Sequence, residues 1–365
     1  MKLLVWQWGR RGAGPRYAAW LAQAMREVAP DGVALSLSMQ AELMEAADAP
    51  ICELPVPTYR GAGGFVLQWP LAPLRSAGLA RRIAALRVDV ALCAMPGPLD
   101  LVMAAALRRT GVPFAVVVHD ADVHPGDGLP LQMRLQRALV RRADALVALS
   151  GHVAERLAAQ GLVAGRPLIR SRLPPFTYGA LPPPPRAHGG KLRLLSFGRL
   201  LPYKGLDLLA DAVRALGGRD DFELRVVGQG QESAVLADLR GLPGVAVENR
   251  WVPEAEIAAL LGWADALVLS HREASQSGAA AAAIAARRFV VATDVGGLGE
   301  QLRDEPLARL CPLTADALAA AIADLIATPV DAEGIGLDAA AAWRDVATTL
   351  RRDLMPLVRE GRATR

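Results

Sequence analysis

Aromatic residues make up only 5% of this 365-residue chain, so its cores must be built from aliphatic side chains. Cysteine occurs three times, at Cys52, Cys93 and Cys311, with neither metal-ligand spacing nor a disulfide pattern. That scarcity suits a reducing, cytoplasmic setting. No apolar run reaches the ~18 residues of a membrane span. The apolar start, Met1 to Trp8, is too short for a signal peptide, and glycine and arginine follow it. No nucleic-acid-binding module and no basic groove interleaved with aromatics can be read, which excludes nucleic acid as a partner. The expectation is a soluble or peripheral cytoplasmic protein.

What is present is aliphatic: 52% of residues are hydrophobic, and the length suits two domains rather than one core. Short apolar runs alternate with helical patterns. Leu3 to Trp8, Val88 to Ala94, Phe114 to His119 and Ala145 to Ser150 read as strands, with helices expected from Pro15, Leu99, Leu131 and His152. After Leu173 to Gly190, which contains six prolines, the alternation resumes with strands at Leu192, Phe222, Val245, Ala266 and Phe289. Such alternation predicts doubly wound parallel sheets. The predicted boundaries are 1–172, a semi-rigid linker over 173–190, a second domain over 191–340, and a helical tail over 341–365.

Two strand-to-helix loops carry the chemistry. Leu192 to Phe197 ends at Gly198, followed by Arg199, Lys204 and Gly205 before a helix near Asp207. Glycine allows close backbone approach, and a helix N-terminus with two cations beside it favours a diphosphate. The strand Ala266 to Ser270 leads into His271-Arg272-Glu273-Ala274-Ser275-Gln276-Ser277-Gly278 and a small-residue helix, a second anion seat with one carboxylate, Glu273, at its mouth. Two phosphate-ready loops and one acid imply a nucleoside diphosphate that carries a polar group.

In order, Gly198-Arg199-Leu200, Lys204-Gly205-Leu206-Asp207, Val227-Gly228-Gln229-Gly230, Ala264-Asp265-Ala266 and Val290 to Gly297 resemble the C-terminal half of a family 4 glycosyltransferase of GT-B fold. The resemblance implies two Rossmann-like domains facing a cleft. It implies a retaining transfer of a sugar from a nucleotide-diphosphate donor, UDP- or GDP-linked, to a saccharide or lipid-linked saccharide in bacterial-type glycan assembly. Arg199 and Lys204 then grip the diphosphate, Glu273 addresses the transferred sugar, and Gly198, Ser277 and Gly278 line the donor site. No metal and no other cofactor is required. The glycine loop after the first strand, with Gly12 and Gly14, faces the cleft, and His119, at the end of its strand, touches the transferred sugar. A tryptophan-bearing C-terminal helix, Trp343 to Val358, crosses back to the first domain. One departure stands out: the family's second glutamate, eight residues on, falls here on Ala281 or Ala282. The Ala-Ser-Gln-Ser-Gly loop resembles a branch with its own version of this site.

Other readings of the same residues stay open. A non-catalytic nucleotide-sugar-binding protein of this fold would tolerate the missing glutamate, and a nucleotide-sugar epimerase shares the architecture. Asp120-Ala121-Asp122 spells a metal motif of the other glycosyltransferase fold, in the wrong surroundings. Val227 to Gly230 reads as a structural turn, and Arg250-Trp251-Val252 lies at a strand end facing the expected base pocket. Charge is uneven: residues 1–190 hold 21 Lys and Arg against 13 Asp and Glu, a net +8, and the remainder is −4. With the basic amphipathic stretch Phe65 to Arg87, including Trp69 and Leu71, this suggests an anionic membrane surface as a partner, on the inner face of the cell membrane.

Overall fold

The computed structural model describes residues 1–46, 49–59, 64, 72–122, 130–180, 182–186, 188–328, 331–333 and 335–363. They form two compact units, one of residues 1–122, 130–172 and 340 onward, the other of residues 173–339. Trp69 and Leu71 of the expected amphipathic stretch lie outside the described residues. Among the described residues no helix is long and apolar enough to cross a membrane.

The first unit runs β1 (Leu3–Gln7), α1 (Ala13–Val28), β2 (Val33–Leu37), α2 (Ala72–Leu86), β3 (Val90–Cys93), α3 (Asp100–Thr110), β4 (Phe114–Val118), α4 (Pro130–Arg142), β5 (Ala145–Ala148), α5 (Gly151–Ala159) and β6 (Leu168–Arg170). Its sheet is all parallel, in the order β2-β1-β3-β4-β5-β6, with Leu3 level with Val33 on one side and Val90 on the other. Strands β1 to β5 are buried at every residue, which is why they read as continuous apolar runs. Trp6 and Phe114 meet edge to face within this core, with ring centroids 5.9 Å apart. Helix α1 opens at Ala13, two residues before the expected Pro15, because Gly12 adopts φ 80° and turns the chain earlier.

The second unit runs β7 (Leu192–Phe197), α6 (Leu206–Ala215), β8 (Phe222–Gly228), α7 (Ala234–Arg240), β9 (Val245–Asn249), α8 (Glu254–Trp263), β10 (Ala266–Leu269), α9 (Gly278–Ala285), β11 (Phe289–Thr293), α10 (Gly296–Leu302), β12 (Ala308–Cys311) and α11 (Ala315–Ala327). This sheet is also parallel throughout, ordered β12-β11-β10-β7-β8-β9. The proline-rich stretch lies along this unit. Arg288 donates to the Pro183 carbonyl at 2.7 Å, and His188 reaches the Asp265 carboxylate at 3.1 Å. Asp265 has no exposed side-chain surface and also takes the Arg193 guanidinium at 2.9 Å. Burial raises its proton affinity, but the Arg193 and His188 hydrogen bonds outweigh it and hold the carboxyl below its ordinary range.

The tail is two helices, α12 (Ala339–Asp353) and α13 (Met355–Ala363), instead of the single helix expected from Trp343 to Val358. Pro356 takes a place in the first turn of α13, where its missing N–H costs nothing. Within the first unit Trp343 packs on Tyr17 and Trp20, and Arg351 donates to the Gly32 and Met1 carbonyls at 3.0 and 3.2 Å.

Each sheet has one place where the chain, having built outward in one direction, restarts in the other. In the first unit this lies between β1 and β3, in the second between β7 and β10. The loops that leave two such neighbouring strands at their carboxyl ends diverge to opposite faces and leave a crevice between them.

Candidate functional site

In the second unit the two crevice loops are those that carry the predicted residues. Strand β7 delivers Gly198, Arg199 and Lys204, and β10 delivers Ser270, His271 and Glu273; all but Glu273 line one narrow recess. The loops are laced through their backbones. Ser270 Oγ donates to the Lys204 carbonyl at 2.9 Å, and the Arg272 N–H to the Tyr203 carbonyl at 2.8 Å. Gly205, at φ 64°, makes this closeness possible, since a Cβ there would run into the Ser270 carbonyl oxygen. On the other flank a Cβ at Gly228 would strike the Gly198 carbonyl, and one at Gly230 the Leu200 carbonyl. The turn Val227 to Gly230 is therefore structural: it seats the β7 loop.

The cations share one platform. The Arg199 guanidinium donates to Tyr203 Oη at 3.3 Å, and Lys204 Nζ sits 5.0 Å from the Tyr203 ring centroid. Lys204 Nζ also lies 2.7 Å from His271 Nε2, and His271 is only 3% exposed. An ammonium only donates, so His271 Nε2 is the acceptor of this contact. Arg199 is exposed and Lys204 half-buried, and both line the recess beside the buried Tyr203. Arg272 pairs with Asp207 at 2.5 Å, and that hydrogen bond holds the Asp207 carboxyl below its ordinary range. Sequence reasoning passed over Tyr203 and His271; His271 lies inside the quoted loop, but nothing local marks it as a lysine's partner.

Glu273 is exposed at the mouth of the β10 loop, two residues beyond His271. Ser277 is buried and caps α9, its Oγ accepting from the Ala280 N–H at 3.2 Å. Gln301 clasps the same residue from both sides, accepting from Ser277 N–H at 2.8 Å and donating to its carbonyl at 3.1 Å. The Ser277 hydroxyl thus serves the cap, and the exposed Gly278 stands at the first turn of the helix. Ala281 and Ala282 are 0% and 1% exposed, so the positions of the absent glutamate lie inside the core of this unit.

In the first unit Gly14 packs beneath the β1 loop, where a Cβ would press on Gln7 Nε2 and Met95 Sδ. Gly12 forms the turn above it, with open space where a Cβ would stand. His119, at the end of β4, donates from Nε2 to the Ala94 carbonyl at 2.8 Å and meets the Tyr17 ring edge to face at 5.1 Å. Burial lowers its proton affinity, so it is neutral with Nδ1 as acceptor. Next to it, Asp122 is held by Arg156 Nε at 2.7 Å and Gln160 Nε2 at 2.8 Å. After β3, the wholly buried Asp100 accepts from the Gly97 N–H at 2.7 Å and the Cys93 thiol at 3.3 Å. Burial raises its pKa to about 7. The structure gathers Gly198, Arg199, Lys204 and Glu273 around one crevice and Gly12, Gly14 and His119 around that of the first unit.

Two parallel sheets of this topology, each with a switch-point crevice, make up the GT-B architecture. Residues 9–170 match the glycosyl transferase 4-like domain, and residues 191–328 match glycosyl transferases group 1. The fold is similar to that of sucrose-phosphate synthase from Thermosynechococcus elongatus, at 15% identity and a TM-score of 0.66 over 100% of both chains. It is similar to Anabaena HepE, solved with UDP and glucose, at 17% identity and 0.66 over 98% of this chain and 99% of that one. It is also similar to a UDP-forming α,α-trehalose-phosphate synthase from Burkholderia vietnamiensis, at 16% identity and 0.58 over 100% and 99%. No curated protein sequence matches the chain.

Proposed function

We propose that this protein transfers a hexose from a nucleoside-diphosphate sugar to a saccharide or lipid-linked saccharide, with retention at the anomeric carbon and without a metal ion. The observation that carries this reading is the placement of Arg199 and Lys204, on one tyrosine-backed loop, across the switch-point crevice from the loop that ends in Glu273 and the start of α9. A leaving diphosphate gathers negative charge as the glycosidic bond breaks, and two fixed guanidinium and ammonium groups stabilise that charge where it develops. Backbone N–H groups at Gly278 and the helix dipole add to it. Glu273 would orient hydroxyls of the departing sugar, and His119, neutral, would offer one acceptor and no charge. The bound UDP and glucose of HepE support a uridine donor. The basic first half, with its exposed Leu74, suits an acceptor presented at an anionic cytoplasmic membrane face.

The test is a panel of UDP- and GDP-sugars followed by release of the nucleoside diphosphate, with and without EDTA, and by the anomeric proton coupling of the product. Turnover of one donor to an axial product in EDTA is expected for a retained α-linkage. An inverted product, or activity restored only by a divalent ion, overturns the mechanism.

A further inference from the structure

A second cavity lies away from the phosphate recess. It is a slot of about 650 Å³ in the first unit, between α2, the start of α3 and the chain segment at Val56 to Thr58. That volume lies within the roughly 300–1,000 Å³ typical of small-molecule sites. Trp8, Val56, Leu79, Leu99 and Val102 give it an apolar lining, and Trp8 follows directly on the carboxyl end of β1, beside the first unit's switch-point crevice.

Two features separate this slot from a packing defect. First, Gly78 sits in the middle of α2 and lines the slot, and a Cβ built there would have nothing within 4 Å. Glycine weakens a helix interior, and here it leaves the slot open on the α2 side. Second, the rim is cationic. Arg75, Arg81 and Arg82 line the slot from one face of α2. Arg75 and Arg82 fasten the Pro57 and Pro55 carbonyls, so they fix the wall. Arg81 is exposed at the mouth. On the same helix Leu74 is 74% exposed, an apolar side chain beside the basic rim. An apolar slot with a guanidinium mouth is complementary to a molecule with an aliphatic body and an anionic head.

We infer that this slot binds the aliphatic chain of a lipid-borne phosphate, with the chain against Trp8, Leu79 and Val102 and the phosphate on Arg81. The inference rests on the reading of a lipid-linked acceptor and names its anchor: the lipid carrier is held by the first unit at a site independent of the donor loops. Arg81 supplies charge-assisted hydrogen bonds to phosphate oxygens, and the chain supplies hydrophobic burial. The two halves of the ligand should bind together far better than either does alone.

The experiment is calorimetric titration of the intact protein with decyl phosphate below its micelle concentration, with decanol and inorganic phosphate as partial probes. Decyl phosphate is expected to bind at least tenfold more tightly than either. Gly78→Leu, which fills the slot, should abolish that binding and leave UDP-sugar binding within twofold. Arg81→Glu should weaken decyl phosphate at least tenfold and leave decanol unchanged. Should Gly78→Leu fail to fold, Arg81→Glu, a surface change, decides the matter alone. Inorganic phosphate binding as tightly as decyl phosphate would reduce the site to a free-anion site and overturn the inference. So would decyl phosphate binding that survives both variants, or no binding at all. A wild type that takes decyl phosphate yet no nucleotide sugar would overturn the glycosyl-transfer reading and leave the slot standing, so the two failures are distinguishable.

Discussion

Lys204 Nζ and His271 Nε2 lie 2.7 Å apart, a contact between loops that leave neighbouring strands β7 and β10. The histidine, buried and accepting, fixes the direction of an ammonium that would otherwise sample many rotamers. His271→Phe keeps the volume and removes the acceptor. It should lower donor kcat/KM about tenfold, ~1.4 kcal/mol, the scale of one hydrogen bond to a charged group. Combined with Lys204→Ala it should add almost nothing, because both changes remove the same interaction. Fully additive losses in that cycle would show that His271 acts elsewhere.

Arg199 and Lys204 face the recess from one platform, and each should contribute to the departure of the diphosphate. Arg199→Ala and Lys204→Ala are each expected to lose about 2–4 kcal/mol of transition-state stabilisation, the range for a single charge-stabilising donor. Steady-state kinetics with the donor selected by the panel provides the check. Near-wild-type rates in both variants would remove the diphosphate from this loop.

Gly205 combines a left-handed backbone with a carbonyl in the way of any Cβ. Gly205→Ala should cost roughly 1–3 kcal/mol for the backbone alone, and the clash with the Ser270 carbonyl pushes the two loops apart. Both stability and donor affinity should fall. Urea unfolding together with donor titration reads the two effects. An alanine variant with unchanged affinity would mean that the loops need not touch.

Asp100 gives the fold a pH dependence of known sign. In the unfolded chain its carboxyl loses its proton near 3.8, whereas burial keeps the proton on until about 7 in the fold. Between those values the folded state binds more protons, so stability falls as pH rises from about 4 to about 7 and is level above. At about 1.4 kcal/mol per tenfold change in proton affinity, the full loss is roughly 4 kcal/mol. Asp100→Asn retains an acceptor for the Gly97 N–H and cannot ionise. Unfolding at pH 4.5 and pH 8 should show the variant close to wild type at the lower value and more stable at the higher. Parallel pH profiles for the two proteins would contradict this.

The architecture was legible because buried parallel strands are apolar from end to end: Phe114 to Val118 and Phe289 to Thr293 needed no periodicity to be found. The strands passed over lie away from the sheet centres. β2 is buried but interrupted by Ser36, β6 has three residues, one of them buried, and β12 contains Arg309 and is mostly half-buried, so none reads as an apolar run. Arg199, Lys204 and Glu273 announced themselves through residue type and loop position. His271 and Tyr203 did not, because their role depends on β10 pairing with β7 across two intervening strands in sequence, and local patterns carry no such register. Nor did the slot at Gly78, since an empty space leaves no mark in a list of side chains.

The first unit is interrupted: it closes only when the segment from residue 340 onward returns to it, with Trp343 against Tyr17 and Arg351 on the Gly32 and Met1 carbonyls. Chains fold from the N-terminus as they are made. Here the Rossmann-like domain begun first must wait through the synthesis of the whole second one before its last two helices arrive. Until then the aromatic and backbone surfaces around Tyr17 and Gly32 stay open to solvent and to chaperones. Damage at the distant end of the chain, such as a premature stop near Ala339, would therefore fall on the domain at its beginning.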